Sequence, residues 1–276
     1  MSSTPTTPVS TATLEVPDGT LHYEVRGQGP VVALVAAPMD ARAFAPLADL
    51  LAVDHTVLTT DPRGILRSRL HDPKQDSTPE LRADDLARLL AHLDAGPAAV
   101  LGSSGGAVTV LALAEAHPEW AHTVVAHEPP LLGLLDDRDD LFAREDDMIG
   151  TYLAGDRLGA GRKFLALANI RLPEEMVVGM FGGEPDPQAA ADERFQYVHM
   201  IRGTTRFRPD VAALRAGPTR VVVGLGEEST GEICERTSHA LASALGTTPT
   251  LFPGGHIGFV DDPAVFADRL RKVLAG

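Results

Sequence analysis

The chain of 276 residues is short of several things, and each shortage excludes something. It has one cysteine, Cys234, so no internal disulfide can form and nothing demands an oxidising compartment. Basic residues are few, 24 Lys and Arg against 38 Asp and Glu, for a net charge of −14. That balance argues against nucleic acid or an anionic membrane as partner, because both require a basic face. No apolar run reaches the roughly 18 residues that span a bilayer. Met1 to Thr13 carries Ser, Thr and Pro but neither a basic segment nor an apolar one, so it does not read as a signal peptide. The expectation is a cytoplasmic protein with a disordered N-terminus over residues 1–12.

What is present is a globular composition, 44% hydrophobic and 22% charged, in a length that builds one core without metals or disulfides. Short apolar segments alternate with helical periodicity. Thr13–Val16 and Leu21–Arg26 flank Pro17-Asp18-Gly19 and predict a hairpin. Val31–Ala36, Thr56–Thr60, Ala98–Leu101 and Thr123–Ala126 predict strands buried on both faces. Arg42–Leu51 and Pro79–Leu93 show helical spacing of leucines between them. Strands alternating with helices imply crossovers and a mostly parallel central sheet. After Pro129-Pro130 the alternation stops. Residues 131–215 read as helical throughout, and strand and helix resume at Arg220–Leu225, Glu235–Leu245, Thr248–Phe252 and Pro263–Leu274. The predicted organisation is an α/β core of residues 13–130 and 216–276, with a helical cap of residues 131–215 over the sheet's C-terminal edge, where ligands bind in such folds.

The chemistry concentrates at Gly102-Ser103-Ser104-Gly105-Gly106, a G-x-S-x-G pattern between an apolar strand and an apolar helix. Small residues two before and two after Ser104 let strand and helix approach around a strained turn, whereas Ser103 has Leu101 two before it. Ser104 is the candidate nucleophile, and the Gly105 amide at the helix start is a candidate oxyanion donor. His256, in Phe252-Pro253-Gly254-Gly255-His256 between the last strand and last helix, reaches the same sheet edge and is the candidate base. For the acid, the order Ser, acid, His favours the loop after Arg220–Leu225, with Glu228 preferred over Glu227. Glu128, in His127-Glu128-Pro129-Pro130 at the end of an earlier strand, is the third candidate.

With these residues the chain resembles the α/β-hydrolase superfamily over about residues 13–276. The resemblance rests on the elbow, on Asp61-Pro62-Arg63-Gly64 after the fourth strand, and on the His256 loop. Asp61–Ser68, His127–Pro130, Thr204–Asp210 and Phe252–Phe259 further resemble uncharacterised actinobacterial members, in which the acid position matches Glu228. The resemblance implies acyl transfer without a cofactor: Ser104 attacks a carbonyl, His256 takes its proton, and water releases the acyl-enzyme. One segment departs from the family. Where many members carry His-Gly, this chain has Ala36-Ala37-Pro38-Met39-Asp40, and Pro38 has no amide hydrogen to donate. The second oxyanion donor is then Met39, or else Ala37.

Phe44, Phe181, Tyr197, Met200 and Phe207 are candidates to line an apolar substrate pocket, though each suits core packing equally well. The seven acids of Asp136–Asp147 lack calcium-loop order and read as a solvated helix face; no histidine stands in metal-ligand spacing, so no metal is expected. Arg63 reads as a structural hydrogen-bonding residue of its turn, and Cys234 as a buried or half-buried helix residue without a catalytic role. The expected function is a serine hydrolase on a small, fairly apolar ester, lactone or thioester. A tailoring enzyme for cyclisation or carbon–carbon cleavage, a cofactor-free haloperoxidase or perhydrolase, and a ligand-binding protein with an inactive triad are the alternatives. The oligomeric state is not legible in the sequence.

Overall fold

The computed structural model describes residues 8–276. Two antiparallel strands, β1 (Val9–Val16) and β2 (Gly19–Arg26), form the expected hairpin, with Val16 paired to Gly19. The first strand begins earlier than its sequence suggested: residues 9–12 are already paired with β2, so their backbone groups are satisfied. The part of the expected disordered segment at residues 1–7 lies outside the described residues.

The core then runs β3 (Val31–Ala37), a 3-10 turn Ala41–Phe44, α1 (Ala45–Leu51), β4 (Thr56–Thr60), the short β5 (Arg69–Leu70), α2 (Pro79–His92), β6 (Ala98–Ser104), α3 (Gly105–Ala116) and β7 (Ala121–His127). Six helices follow without a strand: α4 (Arg138–Leu153), α5 (Arg157–Ala168), α6 (Glu174–Phe181), α7 (Pro187–Phe195), α8 (Ile201–Thr205) and α9 (Val211–Ala216). A π-helical turn, Gln196–Met200, joins α7 to α8. The chain closes with β8 (Arg220–Gly226), α10 (Ile233–Leu245), β9 (Thr250–Phe252), α11 (Gly258–Asp261) and α12 (Pro263–Leu274).

The sheet order is β1-β2-β4-β3-β6-β7-β8-β9, with β5 paired to β2. From β4 to β9 every neighbouring pair is parallel. Helices α2, α3 and α10 bury one face, with Leu86, Leu90, Val110 and Leu241 against Val35, Val100 and Val124. Helices α1 and α12 bury the other, with Leu47, Leu51, Phe266 and Leu270 against Val32, Leu34 and Val125. Burial on both faces is why these strands are continuous apolar runs rather than alternating ones. This is the mostly parallel sheet flanked by helices that the alternation predicted, in the arrangement that the resemblance to the α/β-hydrolase superfamily implies.

Polar groups tie the helical segment between β7 and β8 to the elements around it. Arg82 on α2 donates to Thr109 on α3 at 2.8 Å and to Thr204 on α8 at 3.0 Å, and it also bonds the Ser77 carbonyl. Asp192 on α7 accepts the Leu66 amide at 3.0 Å. Gly64, at φ +80°, lies under the Phe195 ring, where a Cβ would come within 2.2 Å of it. Arg63 is wholly buried and is held by two ion pairs, to Asp85 at 2.7 Å and to Asp18 at 2.8 Å, so its place is structural. The acidic stretch on α4 is not uniformly solvated. Glu145 is completely buried, accepting from Thr205 at 2.6 Å and from Arg206 at 3.1 Å.

Candidate active site

Ser104 ends β6 and caps α3 at φ +55° and ψ −122°, a region an L-residue occupies only when its surroundings impose it. Here the glycines impose it. A Cβ at Gly102 would lie 2.2 Å from the Gly106 carbonyl oxygen, and one at Gly106 would lie 2.3 Å from that of Val35. Gly105 is equally tight against Ala37, at 2.6 Å. Strand, turn and helix therefore approach to a distance only glycine permits. Ser103 is buried under the turn, its Oγ 3.4 Å from the His127 ring, whereas Ser104 is half-buried at the sheet edge.

The histidine at this edge takes its partner from β7. His256 Nδ1 donates to Glu128 Oε2 at 2.6 Å. Glu128 follows β7 directly, at φ +53°, and is fully buried. Its other oxygen accepts the Gly226 amide at 2.7 Å. Gly226 has no room for a side chain, since a Cβ would sit 2.8 Å from the Glu128 carboxylate. Burial opposes ionisation of Glu128, but the bond from His256 and the His127 ring outweigh it and bring its pKa to about 2. Burial likewise opposes charge on His256, yet the adjoining Cys234 sulfur and the Glu128 carboxylate raise its pKa well above the ordinary value. Neighbouring His127 points the opposite way, into Phe252 and Phe266, and burial lowers its pKa to about 4.

This geometry corrects the preference for Glu228. Both Glu227 and Glu228 are exposed, and their loop contributes main chain instead. The Glu227 amide bonds the Phe252 carbonyl at 2.9 Å and the Glu228 amide bonds that of Gly254 at 3.0 Å, tying the loop to the His256 segment. The physical reason lies in how the strands end. β7 and β8 are neighbouring parallel strands that finish at one edge, but the backbone at Glu128, at φ +53°, carries its side chain onto the Gly226 amide and His256, while the Glu228 side chain turns outward. The backward turn at Glu128 was the missed signal: an acid followed by two prolines at a strand end is not an ordinary loop acid.

The remaining candidates separate. Gly105 opens α3, so its amide is one of the unpaired N–H groups of a helix start. Ala37 is paired in register with Ser104, and Met39 follows one residue beyond Pro38, half-buried against the α1/α12 core. Met200 is buried with Ala37, Ile65 and Phe195, directly beside the strand partner of Ser104. Phe44 is a correction: it is buried under α1, stacked on Phe259 at 4.6 Å between centroids, and forms part of the core. Tyr197 is also a packing residue, stacked on Tyr152 at 4.1 Å and buried with Met148 and Ile149 of α4. Phe207 packs against the core on the α2/α3 face, and Phe181 of α6 lies over Gly161 of α5. Cys234 is buried on α10, as expected of it.

The fold and this edge define a hydrolase of the α/β type. The model of the alpha/beta hydrolase family matches residues 31–269, and the chain belongs to that family. It is 32% identical to an uncharacterised hydrolase of Bacillus subtilis, YraK, over 96% of each chain. It is 29% identical to a zearalenone hydrolase of Bionectria ochroleuca, covering 93% of this chain and 94% of that one. Among solved structures, a thermophilic esterase from Thermogutta terrifontis superposes with a TM-score of 0.69 at 19% identity, covering 96% and 98% of the two chains. The enol-lactonase from Burkholderia xenovorans superposes at 0.64 and 18% identity, covering 96% and 100%. No helix among the described residues is long and apolar enough to cross a membrane.

Proposed function

We propose that the protein hydrolyses the ester or lactone bond of a small, fairly apolar molecule through an acyl-enzyme on Ser104, with His256 as base and Glu128 as the acid that orients it. The observation that carries this reading is the paired placement: a serine at a strained turn after β6, and a histidine after β9 bonded to a buried carboxylate after β7, all at the C-terminal edge of one parallel sheet. The serine attacks, and His256 accepts its proton through Nε2 because Nδ1 is committed to Glu128. Glu128 stays ionised and stabilises the imidazolium as it forms. The Gly105 amide, supported by the α3 dipole, faces the developing oxyanion, and the amide of Met39 or Ala37 supplies the second donor. His256 then returns the proton to the leaving oxygen, and water repeats the sequence to free the acid. Serine rather than a carboxylate at the elbow fits an acyl-enzyme and not an alkyl-enzyme. The apolar cluster of Ala37, Ile65, Phe195 and Met200 lies beside the strand partner of Ser104, which favours an apolar substrate. The esterase and lactonase character of the structural neighbours, and the hydrolase character of the two sequence relatives, favour the same chemistry.

The test is pre-steady-state hydrolysis of p-nitrophenyl acetate and butyrate, beside a panel of alkyl lactones. A burst of nitrophenol equal to the enzyme concentration, absent in Ser104→Ala, is the expected result. Turnover without a burst that survives Ser104→Ala rules the acyl-enzyme out.

A further inference from the structure

The groups around His256 include one that acyl transfer does not use. Donor atoms of Glu128, Cys234 and His256 all lie within 4.8 Å of one another. They arrive from three elements: the end of β7, the first turn of α10, and the loop after β9. Residues 128, 234 and 256 are too far apart in the sequence for any ligand spacing to announce them, which is why no metal site was expected. A carboxylate, a thiol and an imidazole are the usual donor types for a zinc-like cation. Around one such ion, with bonds of about 2.0–2.3 Å, donor atoms stand roughly 3.5 Å apart. The Glu128 and His256 atoms, now 2.6 Å apart, would part by about 1 Å, and the remaining separations, within 4.8 Å, would close by about 1 Å at most. Ser229, fully buried beside them, lies against the Glu128 carboxylate and helps hold it ionised. Access is from the His256 side, whose side chain is 29% exposed, while Glu128 is closed off.

We infer that Glu128, Cys234 and His256 form a site for a thiophilic divalent cation of the zinc or cadmium type, occupied in competition with the Glu128–His256 hydrogen bond. On binding, the Cys234 thiol loses its proton to solvent and the sulfur bonds the cation; the His256 proton passes through solvent from Nδ1 to Nε2, so that neutral imidazole bonds the cation through Nδ1, and the Glu128 carboxylate turns from Nδ1 to the cation. The cation is an inhibitor, not a cofactor. It removes the carboxylate partner that orients the imidazole, a consequence that rests on the function proposed above, whereas the binding itself does not.

Because Cys234 is the single thiol, thiolate-to-cadmium charge-transfer absorption in the near ultraviolet reports on this site alone. Titration of the full chain with Cd²⁺ should give one equivalent of that absorption. Cys234→Ser should abolish it. His256→Ala should weaken binding by about 10-fold or more, as should Glu128→Gln, with folding of each variant checked by circular dichroism. Absence of the band in folded wild-type protein overturns the site. So does a band whose affinity is unchanged in both His256→Ala and Glu128→Gln, since that is cysteine binding alone. In parallel, Cd²⁺ at saturation should suppress fluorophosphonate labelling of Ser104 at least 10-fold in wild type and not in Cys234→Ser. Cd²⁺ binding with no labelling in metal-free protein would retain the site while overturning the proposed reaction; labelling indifferent to bound Cd²⁺ would overturn the inhibition.

Discussion

Replacing Glu128 by glutamine separates the two acids that the chain offers to His256. Glutamine has nearly the same shape, so its carbonyl can still accept the Gly226 amide that Glu128 holds at 2.7 Å. Its amide nitrogen then faces His256 Nδ1, which now sees a donor where it had an acceptor at 2.6 Å. The imidazole must turn its unprotonated nitrogen to Glu128→Gln and its N–H toward Ser104, the wrong tautomer for a base. The analogous exchange in a serine protease triad costs about 10,000-fold in kcat, and the same order is expected here in kcat/KM. One charged hydrogen bond is also lost from a completely buried position, which costs roughly 1.5–3 kcal/mol and lowers the melting temperature by about 3–12 °C. Glu228→Gln, at an exposed carboxylate, should leave kcat/KM within about 2-fold and stability within about 0.5 kcal/mol. The assay is steady-state ester hydrolysis with parallel thermal melts on both variants. A large loss in Glu228→Gln with a small one in Glu128→Gln would refute the assignment and restore the acid loop after β8.

Activity should rise with pH as His256 loses its proton, with an apparent pKa above the ordinary 6.5 because its neighbours raise it. A profile half-maximal below that pH contradicts the raised value. The two groups also set opposite limits on stability. Glu128's lowered pKa contributes stability present above about 4.5 and lost as the pH falls toward 2. His256's raised pKa contributes stability that is full below about 6.5 and lost as the pH rises through its folded value. Thermal melts of wild type against Glu128→Gln should therefore differ most between those limits. Gly106→Ala places a Cβ 2.3 Å from the Val35 carbonyl oxygen, between α3 and β3, and should destabilise by about 3 kcal/mol or more, read as a lower urea midpoint. A midpoint equal to wild type would mean that the elbow is looser than its contacts show.

The sheet was readable because burial on both faces writes a strand as an unbroken apolar run, as in Val31–Ala37 and Thr56–Thr60. The elbow was readable because a turn this tight admits only small residues at fixed offsets, so Gly102 and Gly106 mark Ser104 from outside. The acid was not settled by the sequence. Chain order points to the loop after β8, but which carboxylate meets the histidine depends on how each strand's end turns, and the positive φ at Glu128 turns its side chain inward while Glu228 stays exposed. The pocket lining is harder still. Phe44 and Tyr197 have the size and apolarity of pocket-lining residues, yet one stacks on Phe259 beneath the sheet and the other on Tyr152 of α4. Hydrophobicity identifies what is buried and not what it is buried against. The same limit hid Cys234, whose place beside Glu128 and His256 comes from three separate elements closing on one edge.

The most direct test of the account is covalent. The protein is treated with a fluorophosphonate and the adduct is located by mass spectrometry, with His256→Ala and Glu128→Gln as controls. The account predicts one adduct, on Ser104, formed at a rate that falls steeply in both controls. An unlabelled Ser104 in folded protein, or labelling at wild-type rate without His256, would contradict an activated serine at this elbow.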